Sequence, residues 1–168
     1  MTTDTIPGLF DALALRYPDT DAVVFPDSRM TYAELYAASV ASARALRGAG
    51  VGHGDFVGLV VPADAGNIAL LLGLWRLGAI PVPINGRFKA AELRYVVEHS
   101  GMRLLLCDSP GAALAEQAGV SCRVVVLGED EDYAAAAADA EEVHRLSEGV
   151  APGDDSVLLY TPGTTSIP

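Results

Sequence analysis

Hydrophobic positions along the chain follow two alternating patterns. Short unbroken apolar runs are separated by longer stretches in which apolar residues recur at helical spacing, the pattern of parallel strands buried on both faces and covered by helices. A first helix is expected over residues 8–16. A small hairpin follows over 22–25 and 30–31, turning at Pro26 and Asp27. Thr31 and Glu34 then stand at capping-box spacing ahead of Leu35, Tyr36, Val40, Ala43 and Leu46, which predicts a helix running to Gly48 and Gly50. Strands are expected at 56–61, 80–84, 103–107, 123–127 and 156–160, and helices at 67–77, 89–99, 112–118 and 133–146. Pro81 and Pro83 make their strand short or peripheral, because neither can donate to a ladder. Asp55 is expected to fix a turn, and Gly78 to shape the backbone.

These elements make one α/β domain over residues 1–168, a doubly wound and mostly parallel sheet, with no repeat and no dividing linker. Composition narrows the function. With 51% hydrophobic and 20% charged residues, the chain has the content of a folded domain. A net charge of −11 excludes the basic face that nucleic acid or an anionic membrane needs. The run Glu129, Asp130, Glu131, Asp132 reads as a solvated surface loop. No signal peptide is apparent, and the apolar stretch over 68–84 is short for a bilayer and interrupted by Arg76 and Pro81. Cys107 and Cys122 read as reduced, buried thiols of a cytoplasmic protein. His53, His99 and His144 have no partners at metal-ligand spacing and read as surface or helix-end residues.

The chemistry concentrates in YTPGTTSIP, which closes the sequence. Thr161, Gly163, Thr164, Thr165 and Ser166 set hydroxyls and a glycine just past an expected strand, the edge where open α/β sheets bind ligands. Hydroxyls and successive backbone N–H groups wrap a polyphosphate, and glycine lets the backbone come close. The loop is not of the Walker type, since the G-x-x-x-x-G-K-[ST] spacing is absent.

This loop resembles the phosphate-loop signature of the adenylate-forming (AMP-binding) superfamily, which reads close to YTSGTTGxPKG. The superfamily includes acyl-CoA synthetases, adenylation domains of nonribosomal peptide synthetases and firefly-type luciferases. Three further stretches resemble its elements in the same order: MTYAEL from Met30, GVGHGDFV from Gly50 and LLGLWRLGAIPVPIN from Leu71. The resemblance covers essentially the whole chain and implies the N-terminal part of a fatty-acyl or other acyl-CoA synthetase. The implied reaction joins a small-molecule carboxylic acid to ATP as an acyl-adenylate, releasing pyrophosphate, and then passes the acyl group to coenzyme A. ATP, Mg2+ and coenzyme A are the implied cofactors, and the nucleotide-binding residues carried over are Thr161, Gly163, Thr164, Thr165 and Ser166. No catalytic residue and no metal ligand is carried over.

Two positions depart from the pattern. Pro162 replaces a serine, losing a hydroxyl and a backbone donor together. Ser166 replaces a glycine, at a cost of about 1 kcal/mol where the backbone needs a positive φ. The chain reaches Pro168 before the lysine and glycine of the signature, so this stretch by itself is expected to make no acyl-adenylate. Asn85 favours acyl-CoA ligases over amino-acid adenylation domains, which more often carry aspartate there, and Arg87 and Lys89 are candidates to approach a phosphate of ATP or coenzyme A. The alternatives are an amino-acid adenylation domain and a non-catalytic short paralogue serving as a binding or oligomerisation module. An uncovered apolar face of the sheet, open to self-association, is also expected.

Overall fold

The computed structural model describes residues 4–137 and 149–161. Along the chain come α1 (Ile6–Arg16), β1 (Asp21–Phe25), β2 (Ser28–Thr31), α2 (Tyr32–Gly48), β3 (Phe56–Val60) and α3 (Ala65–Arg76). They are followed by β4 (Ile80–Pro83), α4 (Ala90–Ser100), β5 (Leu104–Cys107), α5 (Ser109–Ala118), β6 (Arg123–Val126) and α6 (Glu131–Ala137). The rest of the helix expected to reach residue 146, with His144, lies outside the described residues.

Local chemistry sets the boundaries. At α2 the capping box is complete: Thr31 Oγ1 accepts the Glu34 N–H at 3.2 Å, and the Glu34 carboxylate accepts the Thr31 N–H at 2.8 Å. Helices α3 and α5 begin earlier than their apolar periodicity alone suggests, because each starts at an aspartate cap. Asp64 accepts from the Asn67 N–H and Asp108 from the Gly111 N–H, both at 2.8 Å. The acidic run is correspondingly not a plain solvated loop. Asp130 takes the Tyr133 N–H at 2.8 Å, and Glu131 and Asp132 open α6, where the helix dipole favours negative charge.

Strands β1 and β2 form an antiparallel hairpin, and β3 to β6 a parallel sheet in the order β4-β3-β5-β6. The chain winds outward from β3 to β4 through α3, then returns past β3 to β5 through α4 and on to β6 through α5. The direction reverses between β3 and β5, which makes that gap the topological switch point.

Alternate residues feed two cores. Val57, Leu59, Leu104, Leu106 and Val125 pack with Val40, Leu46, Leu70 and Leu74 of α2 and α3. Val60, Val82, Leu105 and Cys107 pack with Leu93, Val96 and Val97 of α4 and Ala115 and Ala118 of α5. Both faces of the four-stranded sheet are thus covered, which corrects the expectation of an open sheet face. Exposed apolar side chains lie instead on α1 and β1 (Leu9, Leu15, Val24) and beside the sheet at Val157 and Leu159.

Helices α2 and α3 approach so closely that a Cβ on Gly73 would stand 2.8 Å from Ser42 Cβ and 3.0 Å from the backbone nitrogen of Ala43. Backbone cannot yield as a flexible side chain does. Gly73→Ala is therefore expected to destabilise the fold by about 1–3 kcal/mol despite alanine's better helix propensity, measured by urea denaturation.

Arg76, at the end of α3, is 2% exposed. Its Nη atoms donate to the Asp11 carboxylate of α1 at 3.1 and 2.5 Å, and its Nε donates to Ser39 Oγ of α2 at 2.9 Å. The guanidinium also lies over the Tyr36 ring, 4.8 Å from its centroid. One buried cation joins three helices.

The expected final strand differs most from expectation. Residues 156–160 form no regular strand, and a single backbone bond, Leu158 N–H to Pro81 O at 3.0 Å, ties them to β4. The cause lies in β4. Ile80 and Ile84 donate their N–H groups inward, to Asp55 O and Leu59 O. By the period of two, Pro81 and Pro83 face outward, so the outer edge of β4 accepts but never donates.

Candidate functional site

Three strand ends meet at the carboxyl edge of the sheet, around the switch point. The backbone leaving β3 (Val60 to Ala63), β4 (Asn85 to Arg87) and β5 (Asp108, Pro110, Gly111) lines a crevice of about 680 Å³. Open α/β sheets bind ligands at such a place, because the crossovers diverge there and leave strand ends and helix N-termini uncovered.

Each wall has a distinct chemistry. Asn85 Oδ1 accepts the Arg87 N–H at 3.0 Å, folding the turn after β4 and leaving the Arg87 side chain exposed as the cation of this wall. Lys89 stands at the cap of α4, where its N–H donates to Glu92 Oε2 at 2.6 Å. On the β5 wall the Asp108 carboxylate is already engaged with the N-terminus of α5. Gly111 sits so close to the strand ends that a Cβ there would come within 2.8 Å of Cys107 Cβ and 3.0 Å of Val60 O. Only glycine lets α5 start that near the sheet.

Cys107 lies behind this wall with a fully buried side chain. Burial, then the charges of Asp108 and Glu129, push its thiol up to about 11, so it stays protonated at neutral pH and is no nucleophile. Cys122, expected to be buried like Cys107, is half-buried, its thiol also raised by burial, and both cysteines are free. Among the described residues no group of His, Cys, Asp or Glu gathers to hold a metal ion, and no helix is long and apolar enough to cross a membrane.

Of the carried-over loop residues, Thr161 is described and exposed. Gly163, Thr164, Thr165 and Ser166 lie outside the described residues, as does Pro162. The approach to Thr161 is well defined. Trp75 Nε1 donates to Ser156 O at 2.6 Å, and Leu158 donates to Pro81 O. Trp75 precedes β4 and Pro81 lies within it, so the segment runs in the direction of β4 and carries Thr161 toward the edge that holds the crevice. Tyr160, last before Thr161, turns inward onto the α4–α5 core, and burial pushes its hydroxyl up.

Spacing along the chain did not reveal two of the residues that hold this approach. His53 Nε2 lies 2.9 Å from Asp154 Oδ2, and His99 Nδ1 lies 2.8 Å from the Tyr160 hydroxyl. Asp55 does fix a turn, accepting the Gly52 N–H at 2.9 Å. Gly78, with φ of +66°, lies against the His53 ring, which a side chain there would strike. The Asp154 carboxyl is held below its ordinary value of 3.8 by the Ala151 N–H first and by His53 second. A lowered carboxylate stabilises above its unfolded pKa and stops doing so as pH falls through the folded one. Carbon-13 titration of Asp154 is therefore expected to give a midpoint below the ordinary aspartate range, moving up in His53→Ala.

A model of AMP-binding enzymes matches residues 10–168. Tyrocidine synthase 1 of Brevibacillus parabrevis is 30% identical over 164 residues, covering 98% of this chain and 14% of that protein. An oxalate–CoA ligase of Arabidopsis thaliana is 29% identical over 177 residues, covering 100% of this chain and 34% of the ligase. Among solved structures, a Mycobacterium tuberculosis fatty acyl CoA synthetase superposes with a TM-score of 0.78 at 28% identity, covering 95% of this chain and 33% of that one.

Proposed function

Because the chain belongs to the AMP-binding enzyme family, we propose that it is the N-terminal part of an ATP-dependent acid–thiol ligase that activates a carboxylic acid as its adenylate and transfers it to coenzyme A. The observation that carries this reading is the hydroxyl-bearing sequence that opens at Thr161, where a segment over residues 156–161 running with β4 reaches toward the carboxyl edge. Thr161, Gly163, Thr164, Thr165 and Ser166 are assigned to the phosphates of ATP. Their hydroxyl and N–H dipoles suit a polyphosphate, and Mg2+ is assigned to the phosphate oxygens. Bound ATP supplies the phosphorus that the carboxylate attacks, and the loop holds the departing pyrophosphate oxygens.

Arg87 supports coenzyme A as the thiol. It is an exposed guanidinium on one wall of the switch-point crevice, suited to paired bonds with a nucleotide phosphate. Relatives such as the oxalate–CoA ligase agree with this choice. The second reading, an amino-acid adenylation domain, draws on the likeness to tyrocidine synthase 1. Asn85 does not separate the two, because its Oδ1 serves the turn to Arg87 as an aspartate would.

In the polypeptide that carries this chain, ATP and a panel of carboxylic acids are expected to release pyrophosphate. Thr165→Ala should lower kcat/KM for ATP about tenfold or more, a typical loss for one donor to developing charge. Arg87→Ala should raise KM for coenzyme A about tenfold and leave ATP–pyrophosphate exchange unchanged. Exchange stimulated by amino acids alone, with loading onto a carrier-protein thiol indifferent to Arg87, would select the second reading. No exchange with any acid would overturn both.

A further inference from the structure

We propose that His99 and His53 are positioning residues that hold the strap from Ala151 to Thr161, replacing the sheet ladder that Pro81 and Pro83 withhold. The consequence for ATP rests on the loop reading above, whereas the pinning rests on geometry alone. A regular edge strand would exchange donors and acceptors with β4 along its length. Here β4 offers only carbonyls on that side, and one bond, Leu158 N–H to Pro81 O, is made.

Side chains supply what the ladder lacks. At the start of the strap Asp154 Oδ2 receives the Ala151 N–H at 2.8 Å and meets His53 Nε2 at 2.9 Å. The His53 ring rests on Gly78, so its position is set by the turn ahead of β4. At the far end the Tyr160 ring meets His99 edge-on, with centroids 5.7 Å apart, and its hydroxyl bonds His99 Nδ1. His99 is itself stacked on Tyr95 of α4, with centroids 5.4 Å apart and the planes inclined by 23°. This end lies one residue before Thr161.

Register is what these contacts decide. Leu158 and Tyr160 face the core while Val157 and Leu159 are exposed, at 41% and 64%. A slip of one residue would exchange the two sets, and apolar pattern alone resists it weakly, because all four side chains are large and apolar or aromatic. Beyond the Trp75 Nε1 bond to Ser156 O, a single backbone bond is a poor lock for the end that leads to Thr161. The aromatic and hydrogen-bonded seat of Tyr160 on His99 accepts no leucine or valine, so it selects one register and with it the place where the loop begins.

Amide hydrogen exchange on the intact chain tests this. His99→Leu keeps a buriable side chain but loses the bond, and is expected to raise exchange at Leu158, the amide bonded to β4, about tenfold, leaving β3 and β5 unchanged. Tyr160→Phe should do the same and move the nitrogen-15 resonance of His99 Nδ1. His99→Asn, with a polar atom near the Nδ1 position, should restore most of the protection. His53→Ala should loosen Ala151 to Ser156 instead. Unchanged exchange in His99→Leu, or an equal rise across the whole sheet, would overturn the proposal. Mg–ATP titrated into the same proteins separates the two readings. Weaker binding in His99→Leu supports the consequence, whereas no binding to the unaltered chain removes the phosphate-loop assignment and leaves the exchange result to decide the pinning.

Discussion

Asp11→Ala is expected to destabilise the fold by about 3–5 kcal/mol, the cost of stranding a buried charge. Domains of this size are stable by about 5–15 kcal/mol in total, so the loss is severe. Arg76 is 2% exposed and the Asp11 side chain 10%, and the pair is bidentate. Removing the carboxylate leaves a guanidinium enclosed by α1, α2 and α3 with Ser39 Oγ and the Tyr36 ring as its remaining partners among the described residues. Guanidinium cannot escape by losing its proton. Arg76→Met should cost less, because methionine fills part of the volume and the Asp11 side chain, nearer the surface, can take water. Combining Asp11→Ala with Arg76→Met should recover part of the loss. Urea denaturation of the four proteins measures the cycle, and a cost below about 1 kcal/mol for Asp11→Ala would mean that the pair behaves as a solvent-screened surface bridge. The same contact attaches α1, whose Leu9 and Leu15 face solvent and contribute little burial.

Leu105→Ala and Leu106→Ala carry the next largest expectation, about 3 kcal/mol each. Both side chains are fully buried on β5, yet they belong to different cores, Leu105 beneath α4 and α5 and Leu106 beneath α2 and α3. One sheet only four strands wide supports both layers, so either cavity is expected to weaken the whole domain and not one layer. Trp75 fluorescence reports the α3 side, and far-ultraviolet circular dichroism the entire chain. The two transitions should coincide in both variants. A Leu105→Ala protein in which circular dichroism falls while Trp75 keeps its native emission would show instead that the α4–α5 layer melts alone.

Much of this fold was legible in the residues because the deciding interactions are short. Thr31 and Glu34 are three residues apart, and their mutual caps were read from spacing. Apolar runs announced strands buried on both faces, and Pro81 and Pro83 announced an edge, which is where β4 lies. The same two prolines had a further consequence that spacing did not disclose. Whether they spoil the neighbouring segment depends on which side of β4 their missing N–H groups face, and that is fixed by the pairing with β3. For this reason residues 156–160, strand-like in composition, do not form a ladder. Arg76 was visible as a cation interrupting an apolar stretch, but nothing local shows that it is buried or singles out Asp11, 65 positions earlier, as its partner.

The site divides along the same line. Sequence by itself determined the chemistry on offer: the hydroxyls from Thr161 to Ser166, the cation at Arg87, the capping box of Thr31 and Glu34 and the family to which these belong. Those depend on residue type and on neighbours within a helical turn, where the energetics of capping, burial and backbone freedom are local. Only the tertiary structure decided that the winding reverses between β3 and β5, that Arg87 and Asp108 line one crevice there, and that His53 and His99 seat the strap leading to Thr161. Strand order and long-range pairing follow from how whole layers bury their apolar faces together, a collective outcome that no single stretch of residues encodes.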